Sequence, residues 1–149
     1  MSSISLLSPD TPIKYNLTGL RVSSTLDKSV GKKHLIDGNP ETCWTSQQGL
    51  PQYIQISFQT PVVPETMQLT FQGGFVGTRC AVKVPSPTGW NLLAHVFPED
   101  INRRQEFSLQ QQASSAGVNA LRLEFEESSD FFGRITVYEL KLLGTILNG

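Results

Sequence analysis

Long apolar runs are what this 149-residue chain most lacks. Its longest, Leu92-Leu93-Ala94 and a broken tail over 140–147, fall far short of the roughly 20 residues that cross a bilayer, which excludes a transmembrane helix. The opening MSSISLLSPDTP has neither the basic segment nor the apolar stretch of a secretory signal, so an intracellular protein of the nucleus or cytoplasm is expected. Cysteine is scarce: two residues can close one bridge and cannot found a disulfide framework. In a reducing compartment Cys43 and Cys80 are expected as thiols. Charge of one sign is lacking too, with 12 Lys and Arg against 13 Asp and Glu and a formal net charge of −1. With no basic run, neither nucleic acid nor a membrane surface is expected as a partner. Catalytic signatures are thin. His34 and His95 stand in no nucleophile-elbow or Cys–His pattern, and the glycine-rich stretch 71–77 opens neither a phosphate-binding loop nor a dinucleotide fingerprint. No enzyme is expected.

What is present is alternation. Ile54, Ile56 and Phe58 alternate with polar residues, as do Met67, Leu69 and Phe71, then Leu121, Leu123 and Phe125, then Ile135 and Val137 running on to Leu140 and Leu142. Period two means strands with one buried face. Stretches at 20–24, 80–84, 92–97 and 106–109 bring the expectation to about eight strands, and no helical stripe exceeds two turns. Antiparallel strands without intervening helices hide their apolar faces only by stacking two sheets or closing a barrel, and of the two an all-β sandwich is predicted. Pro61, Pro64, Pro85, Pro87 and Pro98 are expected at strand ends or in loops, where they cost no ladder hydrogen bonds. A flexible segment is expected over 1–12, one domain over 13–149, and a mobile loop over 110–117.

The segment 34–46, HLIDGNPETCWTS, concentrates oxygen donors: Asp37, Asn39 and Thr42 flank a glycine-permitted turn. Such a loop suits a hard cation; equally, Asp37 caps backbone amides in a metal-free turn. Trp44 reads as a core plug with its N–H on a carbonyl, and Cys43 as a small packed residue rather than a nucleophile. Trp90 is either a ligand platform or a hairpin plug. A second cluster joins 72–79, QGGFVGTR, to Phe131-Phe132-Gly133-Arg134. Loop aromatics beside arginines suit a ligand or partner surface, for which Phe75, Arg79, Phe132 and Arg134 are the candidates; the competing expectation turns Phe131 or Phe132 inward as core. Glu124, Glu126 and Glu127 read as a solvated strand face.

The stretch Asp37-Gly38-Asn39 through Thr42 and Trp44, with the closing VYELKLLG over 137–144, resembles the discoidin or galactose-binding-like superfamily. That resemblance implies an eight-stranded antiparallel jelly-roll β-sandwich. In calcium-binding relatives the matching positions supply carbonyls at His34, Asn39 and Tyr138 and side chains at Asp37, Thr42 and Glu139, which implies a structural calcium site. Three further stretches, GKKHL at 31–35, FQGGF at 71–75 and DFFGRI at 130–135 followed by Tyr138, are similar to the testicular receptor 4-associated proteins, a family of nuclear-receptor-associated repressors. They imply a protein partner, a nuclear receptor. The intraflagellar-transport subunit of this fold shares the stretch 36–44. A carbohydrate-binding module, a galactose-binding-like lectin, is the alternative, although the paired Arg and His of sugar-binding relatives have no match around His34 or His95.

Overall fold

A computed structural model describes residues 4–7, 16–109 and 116–147. Nine strands run through them: β1 (Ile4–Ser5), β2 (Leu17–Val22), β3 (Trp44–Thr45), β4 (Gln52–Phe71), β5 (Arg79–Ser86), β6 (Gly89–Val96), β7 (Arg104–Ser108), β8 (Val118–Glu127) and β9 (Thr136–Ile146). Two 3₁₀ turns, Lys28–Val30 and Lys32–Leu35, are the helical elements among the described residues. All pairings are antiparallel, and they build the antiparallel β-sandwich that the galactose-binding-like resemblance implies.

The long strand β4 builds both layers. Its first part pairs with β2 on one side and β8 on the other, and β8 continues through β5 to β6, giving a front sheet β2-β4-β8-β5-β6. Its second part pairs with β7 and β9, giving a back sheet to which β9 adds β1 and β3. Ile54, Ile56, Leu121, Leu123, Phe125 and Val82 from the front meet Met67, Leu69, Phe71, Val137 and Leu142 from the back, all fully buried. Phe71 and Phe125 touch edge to face across the layers with ring centroids 5.7 Å apart. Alternation therefore becomes core on both sheets, as period two requires.

Pro61, Pro64 and Pro85 lie inside strands rather than between them. The first two fall where β4 passes from one sheet to the other, beside register shifts between Ser57 and Val62 and between Pro64 and Thr66. A missing N–H costs little where the ladder is already interrupted. Ile4 and Ser5 pair with Gly144 and Leu143, and Leu6 and Leu7 are buried; the remainder of the 1–12 segment and most of the expected loop at 110–117 lie outside the described residues.

Candidate functional site

The oxygen-rich loop hangs from a buried anchor. Leu35 and Trp44 are fully buried on either side of it, and the Trp44 Nε1–H donates to the Ser24 carbonyl at 2.9 Å. Between them Asp37 gathers its neighbours. One carboxylate oxygen accepts the Asn39 amide at 2.9 Å, and the other accepts the Thr42 hydroxyl at 2.6 Å and faces His34 Nδ1 at 2.9 Å. These hydrogen bonds, Thr42 first, hold the Asp37 pKa down at about 2. The Asn39 carbonyl accepts from the Thr42 amide and hydroxyl, so His34, Asp37, Asn39 and Thr42 form one connected turn.

Tyr138 and Glu139 face the same region from β9. With Gly38, Pro40, Glu41, Thr70, Asn102 and Arg104 they line a cleft of about 800 Å³. The β9 register steps from Glu139, opposite Thr70, to Val137, opposite Phe71, so Tyr138 is the extra residue of a bulge and lies outside the ladder with β4. Glu139 is held by Arg104, whose Nη2 donates to it at 3.1 Å. Among the described residues no three His, Cys, Asp or Glu side chains converge as a metal cluster.

At the other loops, backbone hydrogen bonds stitch three segments into one platform. The Gln72 amide donates to the Thr136 carbonyl and the Thr136 amide to the Phe75 carbonyl, the Ser129 amide donates to the Val76 carbonyl while the Val76 amide donates to the Ser129 hydroxyl, and the Gly49 amide donates to the Phe132 carbonyl at 2.9 Å. Asp130 closes the last segment: its carboxylate accepts from the Arg134 amide and Nε, each at 3.0 Å, while the Gly133 amide returns to the Asp130 carbonyl. The Arg134 guanidinium lowers the Asp130 pKa and is itself held protonated by that carboxylate. It also lies 5.2 Å from the Phe75 ring and 5.7 Å from the Phe132 ring.

Neither Phe131 nor Phe132 enters the core. Phe131 is 94% exposed and Phe132 53%, packed edge to face on each other at 5.2 Å. The reason is the turn. Gly133 adopts φ of +82°, and a Cβ there would press on the Gly49 backbone and Leu50, so the segment doubles back and projects both rings outward. Leu50, 43% exposed, packs against the Gly133 turn that carries them; sequence reasoning missed it because nothing local links 50 to 133.

Arg79 stands apart from this platform. Its Nε donates to Glu126 at 3.0 Å, and the same carboxylate oxygen faces His95 Nε2, on whose ring Phe97 stacks. Glu124 likewise accepts from Lys83, so Glu124 and Glu126 of β8 are ion-paired rather than merely solvated. The two histidines each meet a carboxylate, and Thr42 bonds that carboxylate rather than the imidazole, the reverse of what activates a nucleophile. Burial pushes the Cys80 thiol far up, away from thiolate chemistry, and Cys43 and Cys80 are both free.

No family model matches the chain. Curated relatives do: proteins named nuclear receptor 2C2-associated protein from Xenopus tropicalis (41% identical, covering 90% of this chain and 98% of the relative), Danio rerio (42%, 87% and 92%) and Homo sapiens (38%, 83% and 89%). Solved structures of the same fold include the family 32 carbohydrate-binding module from Clostridium perfringens NanJ in complex with galactose, at TM-score 0.70 and 16% identity over 84% of this chain and 92% of that one. A chitosan-binding module from Paenibacillus superimposes at TM-score 0.69 and 16% identity, over 85% and 94%.

Proposed function

Because the chain belongs to the family of nuclear receptor 2C2-associated proteins, we propose that it is a non-enzymatic binding module that holds a nuclear receptor of the 2C2 kind at the loop end of its sandwich. The observation that carries this reading is the pair Phe131 and Phe132, displayed on a platform already fixed by hydrogen bonds. Exposed adjacent aromatics are costly unless a partner covers them, and a preorganised platform loses little freedom on binding. Arg134, pinned by Asp130 and flanked by Phe75 and Phe132, supports the rings; Arg79 would act from the rim. A binding module acts on a receptor by occupying its surface, the mode of a repressor, in the nucleus or cytoplasm.

Calorimetric titration of purified receptor into the full chain tests it. Phe132→Ala is expected to weaken binding by about 2 kcal/mol, roughly thirtyfold, with little change in melting temperature because the ring is outside the core. Undiminished affinity in a folded Phe131→Ala, Phe132→Ala double variant would remove the loop end from consideration. Heat on adding galactose instead of receptor would favour the carbohydrate reading, which rests on fold alone.

The same module is proposed to carry a structural calcium ion between the 37–42 turn and β9. The donor chemistry supports it: Asp37, Thr42 and Glu139 offer side-chain oxygens, and His34, Asn39 and the bulged Tyr138 offer carbonyls. Bound there, the ion would tie the turn to the back sheet. It would have to displace His34 from Asp37 and Arg104 from Glu139, the contacts those carboxylates now make.

A further inference from the structure

We propose a second binding surface, remote in chemistry from the loop end: the outer face of the front sheet is a docking site for an extended acidic peptide, gripped by Arg21 and Arg122. The sheet register builds it. Arg21 of β2 stands opposite Gln55 of β4, Gln55 opposite Arg122 of β8, and Arg122 opposite Lys83 of β5, so three cations and an amide form one row across four strands. Their chain neighbours Ile54, Ile56, Leu121, Leu123 and Val82 are fully buried, so the row points outward.

Arg122 is held in an unusual state. Its guanidinium carbon lies 3.9 Å from the Tyr53 ring centroid and 5.6 Å from that of Trp90. Its Nε is the one buried side-chain nitrogen or oxygen without a hydrogen-bond partner among the described residues, and the Glu124 carboxylate stops 3.8 Å short of it. Buried donors are ordinarily satisfied, so this guanidinium, its side chain 22% exposed and only loosely paired with Glu124, has bonding capacity left for a carboxylate that reaches its open side. Glu124 holds Lys83 at 3.2 Å and Arg122 only at 3.8 Å, which leaves the more loosely paired Arg122 and the exposed Arg21 as the grips.

The spacing selects the ligand. Strands lie about 4.8 Å apart, so the two arginines are rooted about 10 Å apart; an extended peptide presents same-face side chains about every 7 Å, within reach of both flexible side chains. The neighbouring row, Gly19-Ser57-Ala120, is small, leaving space for a peptide backbone beside the cations. On the other side Glu124 and Glu126 flank the row, and they would repel the unbroken charge of a nucleic-acid strand. Arg21, Lys83 and Arg122 against Glu124 and Glu126 leave this patch with one net positive charge on a chain whose total is −1, so a sparsely acidic segment is drawn to this face.

Fluorescence anisotropy on the full chain reads the proposal, with a labelled peptide of alternating Asp and Val, the matching Asn and Val peptide, and single-stranded oligothymidine as probes. The Asp peptide is expected to bind, to weaken with added salt, and to lose about tenfold in affinity in Arg122→Gln and in Arg21→Gln. Arg21→Gln serves as the independent reading if Arg122→Gln disturbs the stack with Tyr53. Equal binding of the Asp and Asn peptides, an Asp-peptide affinity unmoved by Arg21→Gln in a folded variant, or tighter binding of oligothymidine than of the Asp peptide would each overturn it.

Discussion

Asp37 sits at the centre of three hydrogen bonds, and its depressed pKa carries a direction for stability. A carboxyl whose folded pKa, about 2, lies below its ordinary 3.8 contributes stability at pH above the ordinary value. That contribution disappears as pH falls through the window from about 4 to about 2. Urea unfolding across that window is expected to show wild type losing more stability than Asp37→Asn; parallel losses would mean that the carboxylate does nothing for the turn. Thr42→Val removes the leading cause, so an NMR titration of the Asp37 carboxyl should move upward toward the ordinary value. The calcium proposal is also decided by single residues. An ion that binds only the folded state raises its stability by about 2.7 kcal/mol at a hundredfold excess over Kd, and the melting temperature should rise accordingly with calcium and return with chelator. Glu139→Gln should abolish the rise. Arg104→Gln, which frees Glu139 from its ion pair, should enlarge it. A wild-type melt indifferent to calcium and chelator alike would reduce the loop to an Asx-type turn.

At the scale of elements, the tightest demand falls where β1 and β4 close over β9. A Cβ built on Gly144 would overlap the Val63 carbonyl and crowd Leu6 and Pro64, so the three strands approach more closely than any side chain permits. Gly144→Ala is expected to cost about 2–3 kcal/mol in urea denaturation, as overpacking does. A neutral result would show β1 detaching to make room. Strand identity was legible in the sequence because one-sided burial writes itself as period two: Ile54, Ile56 and Phe58, and Leu121, Leu123 and Phe125, are core residues in the structure. The continuity of β4 was not legible. Pro61 and Pro64 read as breaks, and only pairing with partners far along the chain shows that they mark the crossing between sheets. Ile4–Ser5 was invisible for a related reason, since two residues carry no period and owe their strand form to Gly144 and Leu143.

For the whole molecule, local motifs survived and long-range pairings did not. Trp44 could be recognised as a plug from its ring and its setting, and its N–H does meet a carbonyl, that of Ser24. That Arg134 would bind Asp130 is settled within four residues of one turn, whereas Arg79 joins Glu126, 47 residues away, and His95 only because distant strands are brought together. The stack of Arg122 on Tyr53 is of the same kind, and no sequence signal announced it. The outward turn of Phe131 and Phe132 could be read from neither composition nor alternation, because it is set by Gly133 against Gly49. These rings carry the central claim, which amide hydrogen exchange of the full chain with and without purified nuclear receptor 2C2 tests most directly. The account predicts slowed exchange at 72–78 and 128–135 and little change along β7; unchanged exchange in those two segments while the receptor is bound would contradict it.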